Sequence, residues 1–150
     1  MSLEPAMALQ LHLLSMLSPT GKCSAFDASG DGFVRSEAVV AIFIQKKDVA
    51  FRSYANILAA HTNSDGHKEK GVTFPSGPRQ GQLLEETYQK AGVDPKDVVY
   101  VETHGTGTQA GDPQELNAIA DVFCKNREKG KPLLIGSVKS NAGHAEPASG

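Results

Sequence analysis

Apolar positions along this chain follow two patterns. Residues 39–44, Val-Val-Ala-Ile-Phe-Ile, are apolar without a break and stop at Gln45-Lys46-Lys47-Asp48. A short β-branched run that is apolar on both faces predicts a central strand covered by helices. Residues 54–60 predict a second strand, residues 98–102 a third and residues 133–138 a fourth. Helical spacing takes over between them. Leu84, Tyr88 and Ala91 share one face of a helix expected over residues 80–91, and Gly92 supplies its stop. Asp112-Pro113-Gln114-Glu115 reads as a helix start with Asp112 as N-cap, and Leu116, Ile119, Ala120 and Phe123 form the apolar stripe that follows. Residues 3–17 read as a short helical or irregular apolar segment, and Glu146-Pro147-Ala148 as the opening of a last helix.

The order strand, strand, helix, strand, helix, strand, helix start predicts an α/β protein with a largely parallel sheet. The turn signals agree with it. Residues 27–32 form an Asp/Gly turn cluster, 62–70 a polar loop, and 71–78 a Gly/Pro loop. A helix that begins just before Gly150 points to a piece of a larger domain.

Composition narrows the function more than the fold. A chain of 150 residues, 39% hydrophobic, has the size of one domain. Its net charge of −2 is small and evenly mixed, which excludes a basic nucleic-acid face. The basic stretch 125–131 reads as a solvated helix end. Cys23 and Cys124 offer neither a disulfide framework nor zinc spacing, and a reduced, cytoplasmic setting is the default. No apolar run is long enough for a membrane span. Residues 6–17 resemble a signal peptide only superficially. Glu4 precedes them without any Lys or Arg, and Gln10 and His12 interrupt them.

Three motifs compete for the chemistry. Asp27 to Glu37 resembles a calcium loop, but the twelfth position, which needs a bidentate carboxylate, is Ala38. Gly105-Thr106-Gly107 with Gly111 is a relative of the dinucleotide fingerprint. Its third glycine falls late, and Val138-Lys139 stand where an acid is expected. The third motif is a pair of loops, His104-Gly-Thr-Gly-Thr108 and Lys139-Ser-Asn-Ala-Gly-His144, each after a predicted strand. Open α/β sheets bind ligands at the carboxyl ends of their strands, and adjacent strands lie about 4.8 Å apart. Two imidazoles there can donate to one developing oxyanion. Lys139 adds a cation, and Thr106 and Thr108 add hydroxyls for an extended polar ligand. No metal site is expected. His12, His61 and His67 have no comparable setting, and both cysteines read as structural.

His104-Gly-Thr-Gly-Thr108 with Gly111-Asp-Pro113, followed by Lys139-Ser-Asn-Ala-Gly-His144, resembles the β-ketoacyl synthase family. Residues 16–23, 31–37, 63–66 and 71–77 fit as well, and the last of these resembles the ketosynthase of animal-type fatty acid synthase, with modular polyketide ketosynthases as cousins. The resemblance implies a partial thiolase-like fold, a layered α-β-α arrangement with a mixed sheet, truncated at both ends. Residues 1–150 would span the end of its N-terminal half and much of its C-terminal half. It implies a decarboxylative condensation of acyl and malonyl thioesters, with His104 and His144 catalytic, Lys139 organising the pair, and Thr106 and Thr108 on the pantetheine arm. No cofactor would be bound directly; the phosphopantetheine arm of an acyl carrier protein would deliver substrates to a homodimeric complete domain. The family's nucleophilic cysteine motif does not occur in these residues, so the chain alone is expected to be inactive. A non-catalytic ketosynthase fragment or interaction module is the alternative.

Overall fold

Two three-residue strands, β1 (Tyr100–Glu102) and β2 (Leu134–Gly136), pair in parallel with Val101 opposite Ile135. The structure is a computed structural model and describes residues 4–71 and 73–149. Helix α1 (Pro5–Leu13) lies near the N-terminus. Helix α2 (Gly77–Ala91) precedes β1, and α3 (Gly111–Phe123) makes the crossover from β1 to β2. A single turn, α4 (Lys139–Ala142), follows β2. Short 3-10 turns occupy Lys47–Val49, Pro95–Asp97 and Glu146–Ser149. The β1–α3–β2 unit is the parallel α/β arrangement the sequence pattern predicts.

Helix α2 starts three residues before the expected Gln80, because Ser76 caps it by accepting the Arg79 N–H at 3.4 Å. Gly92 closes it in the left-handed conformation, φ 66°. At Gly77 a side chain would meet Gln114 at 2.9 Å, so the missing Cβ lets α2 approach α3. The helices lock through Tyr88 and Phe123, whose rings meet edge to face at 4.9 Å. Phe123 is 1% exposed, and its burial contributes about 2–3 kcal/mol. The apolar stripe of α3 is rotated from the expected one. Ala118, Ile119 and Phe123 are buried, whereas Ala120 faces outward.

Two strand expectations are overturned. Residues 39–44 and 54–60 lie in no sheet, and Val39, Phe43, Phe51 and Ile57 are exposed. A strand is held by a neighbour's N–H and C=O groups, and among the described residues none pairs with these segments. The last helix is a 3-10 turn, Glu146–Ser149. The basic stretch is also less solvated than expected: Arg127 turns inward and donates to the Val98 carbonyl at 2.6 Å. No described helix is long and apolar enough to cross a membrane.

Candidate active site

A loop rich in glycine exposes main-chain N–H groups, and each needs an acceptor. Pairing runs one residue past β1, where Thr103 donates both its N–H and its hydroxyl to the Gly136 carbonyl, at 2.9 and 2.8 Å. The chain then turns away, and two carboxylates near the start of α3 take up its donors. Glu115 accepts the His104 N–H at 2.6 Å and the Gly105 N–H at 2.9 Å. Asp112 accepts from Gly107 at 3.2 Å, Thr108 at 3.3 Å and, across the chain, Phe26 at 2.8 Å. This corrects the expected N-cap. Helix α3 begins at Gly111, and the Thr108 hydroxyl takes the Gly111 N–H at 3.2 Å. Asp112 serves the loop instead of the helix end, because the loop donors are otherwise unsatisfied. Gly107, at φ 82°, passes so close to Ser24 that a Cβ would sit 2.6 Å from its nitrogen.

His144 reaches the same place by a different route. It does not directly follow β2, since α4 intervenes and Gly143, at φ 73°, turns the chain back. A strap formed by residues 31–36 then holds it. The His144 N–H donates to the Val34 carbonyl at 2.8 Å, and the Ser36 N–H donates to the His144 carbonyl at 3.0 Å. The Phe33 ring packs edge-on against the imidazole at 5.3 Å. The same strap reaches the first loop, where the Gly32 N–H donates to the Gly107 carbonyl at 3.3 Å.

The two imidazoles meet edge to face, with centroids 5.1 Å apart. They open with Thr106 and Thr108 onto a cavity of about 740 Å³, a volume typical of small-ligand sites. Lys68 and Asp65, ion-paired at 2.5 Å, stand on its wall. Lys139 is 3% exposed and lies behind the histidines, outside the lining. Both imidazoles are held below the usual histidine range. For His104, burial is the main cause and the Lys139 cation adds to it. For His144, burial leads again, followed by His104 and Lys139. Both rings are therefore neutral at neutral pH. The Glu146 N–H donates to His144 Nδ1 at 3.0 Å, which leaves the proton of the neutral ring on Nε2. A pair of neutral imidazoles can offer N–H donors to an oxygen without bringing a proton to transfer.

All five residues singled out by sequence thus gather here, Lys139 as a buried neighbour and the other four on the cavity. Sequence reasoning missed the groups bonded to them or beside them: Glu115, Asp112, Glu146 and Glu102, whose carboxylate accepts the Val138 N–H at 2.7 Å just before Lys139. The acid three residues after Asp112 carries a usable signal, since its spacing also fits a capping box. In the Asp27–Glu37 stretch, Asp27 closes a turn by accepting from Ser29, and Asp31 accepts from Thr20. Cys23 is buried and takes the Val34 N–H at 3.2 Å, as a structural thiol does, whereas Cys124 is exposed at the end of α3.

Known proteins resemble this chain in sequence and fold. Residues 54–150 match the family model for the β-ketoacyl synthase C-terminal domain, and residues 1–50 match the model for its N-terminal domain. The chain is 57% identical over 148 residues to a fatty acid synthase of the goose Anser anser anser, covering 99% of this chain and 42% of that protein. It is 43% identical to a hybrid PKS-NRPS synthetase of Aspergillus terreus over 98% of this chain and 22% of that one. A ketosynthase from module 6 of the bacillaene synthase of Bacillus subtilis 168 superposes with a TM-score of 0.85 at 34% identity, over 100% of this chain and 28% of that structure. The chain thus spans less than half the length of these relatives. Fold and site define a thiolase-like α/β protein, present here as a mixed α/β segment with a small open sheet. Within that class, the chain belongs to the β-ketoacyl synthase family.

Proposed function

We propose that this chain carries the enolate-stabilising half of a fatty acid synthase ketosynthase. The observation that carries the reading is the pair of imidazoles, 5.1 Å apart at one cavity. A malonyl thioester places its carbonyl oxygen between His104 and the Nε2–H of His144. When the bond to the carboxylate breaks, carbon dioxide leaves and the bonding pair moves onto the thioester oxygen as an enolate. Two preorganised N–H donors stabilise that charge, an effect worth several kcal/mol when water is excluded. Lys139 keeps the imidazoles unprotonated, so the enolate is not quenched. The enolate carbon then attacks an acyl thioester, the carbonyl re-forms, and the cysteine thiolate departs. That sulfur comes from outside these residues, since Cys23 is committed to Val34 and neither cysteine lines the cavity.

Substrates arrive on the phosphopantetheine arm of an acyl carrier protein. Its amide-bearing, extended shape suits a cavity lined by the Thr106 and Thr108 hydroxyls. The fatty acid reading is preferred over a polyketide one because the identity is 57% to the goose fatty acid synthase and 43% to the hybrid synthetase. A homodimeric complete domain in the cytoplasm belongs to the same reading. The test places these 150 residues at the matching position of the goose ketosynthase and measures 3-oxoacyl thioester formation. Condensation should persist in the chimera, vanish with His104→Ala or His144→Ala, and be absent from the chain alone. A folded chimera that condenses nothing, or condensation by the chain alone, overturns the reading.

A further inference from the structure

The Arg35 side chain is 6% exposed and makes a two-point contact with Glu146, Nε to Oε1 at 2.5 Å and Nη2 to Oε2 at 3.3 Å. This fork-to-carboxylate match is rigid in a way a lysine would not be. Its partner is unusual, because Glu146 carries a Cβ yet stands in the left-handed region at φ 50°. Such a conformation persists only where surrounding contacts over-determine it. The same residue donates its N–H to Nδ1 of His144 at 3.0 Å, so one residue joins the Arg35 fork to the imidazole. The neighbours of Arg35 meanwhile hold the backbone of His144 through Val34 and Ser36. One short strap therefore grips His144 twice, once at its main chain and once through the residue that sets its tautomer.

We propose that Arg35 is a positioning residue: it clamps Glu146 so that the Glu146 N–H stays on Nδ1 and His144 offers Nε2–H to the cavity. The use of that donor on a thioester oxygen rests on the condensing-enzyme reading, whereas the clamp itself does not. The experiment is long-range proton–nitrogen NMR of the full chain labelled with ¹⁵N-histidine, above the imidazole titration range. The native chain should show His144 as a single neutral tautomer, protonated at Nε2. Arg35→Met should give a mixture of both tautomers. The charge swap Arg35→Glu with Glu146→Arg should restore the single form, which a general loss of packing would not do. Arg35→Lys, which keeps the charge and most of the packing, should lie between native and Met, and it stands in if Arg35→Met fails to fold. A folded Arg35→Met or Arg35→Lys chain with the native tautomer overturns the proposal, as does a folded charge swap that leaves the mixture. Failure of the condensation assay with a normal tautomer response would instead count against the ketosynthase reading.

Discussion

Glu115 holds His104 by its main chain, taking its N–H at 2.6 Å and leaving the imidazole free to face the cavity. The carboxylate comes from a helix that starts seven residues after the histidine. Charge-assisted bonds of this kind contribute about 1.5–3 kcal/mol each. Glu115→Ala should lower the unfolding free energy by about 2 kcal/mol, and Glu115→Gln, which keeps one acceptor, by less. Urea denaturation checks both. Equal midpoints for the native chain and Glu115→Ala would refute the clamp.

Asp112 is 7% exposed and serves three N–H groups, so its loss should be felt more than that of an exposed carboxylate. Asp112→Ala is expected to cost about 3 kcal/mol, mostly from donors left without acceptors. Asp94→Ala, at a surface cap and surface ion pair, should cost far less. Amide exchange at Gly107 should accelerate in the first variant alone.

The lowered histidines give stability a pH dependence of definite sign. An unfolded imidazole titrates near 6.5, above both native groups. As pH falls through that value, the unfolded chain takes up protons that the native one refuses. Stability from these two rings is thus present above about 6.5 and is lost progressively as pH falls towards the native values. Lys139→Met, which keeps the volume and removes the cation, should raise both native titration midpoints and shrink the acid loss. Histidine proton shifts followed against pH would measure this, and unchanged midpoints would exclude Lys139 as a cause.

Two left-handed glycines should respond differently to the same change. Gly21, at φ 72°, has open space around it, so Gly21→Ala bears only the backbone cost of about 1–2 kcal/mol. At Gly107 an added methyl also meets the Ser24 backbone at 2.6 Å, so Gly107→Ala should cost clearly more and shift the His104 signals. Thermal melts of the pair, with similar values for both, would argue against the close approach.

Residues 39–60 hold side chains such as Val39 and Phe51 that are fully exposed. Apolar side chains exposed at this density along one segment promote association. The chain should scatter light at micromolar concentration, and Phe43→Asp with Phe51→Asp should reduce the scattering while changing stability by about 0.5 kcal/mol or less. Scattering unaffected by both substitutions would locate the sticky surface elsewhere.

The sequence made the local units legible. Helix α2, the β1–α3–β2 crossover and both histidine loops follow from spacing, caps and glycines, because neighbours along the chain decide them. The strands over 39–44 and 54–60 failed for the opposite reason. Their composition is that of strands, yet pairing needs partners, and the described residues supply none. At the site, chemistry-bearing residues stood out by type, while the carboxylates that hold them did not. Glu115 and Asp112 look like ordinary helix-start acids until the loop's unsatisfied N–H groups are located in space. Arg35 sits in a stretch that fits the family, but its pairing is not legible there, since its partner Glu146 is 111 positions away.

That separation has a kinetic meaning. The β1–α3–β2 unit closes a short stretch of chain, whereas the strap must find His144 across most of its length. Closing the longer loop carries the larger entropic cost and contributes late. The histidine pair should therefore assemble after the β1–α3–β2 unit. The N–H of His144 should exchange with solvent through a smaller opening than that of Leu134, and a chain that has lost only its strap would keep its sheet while its two imidazoles part.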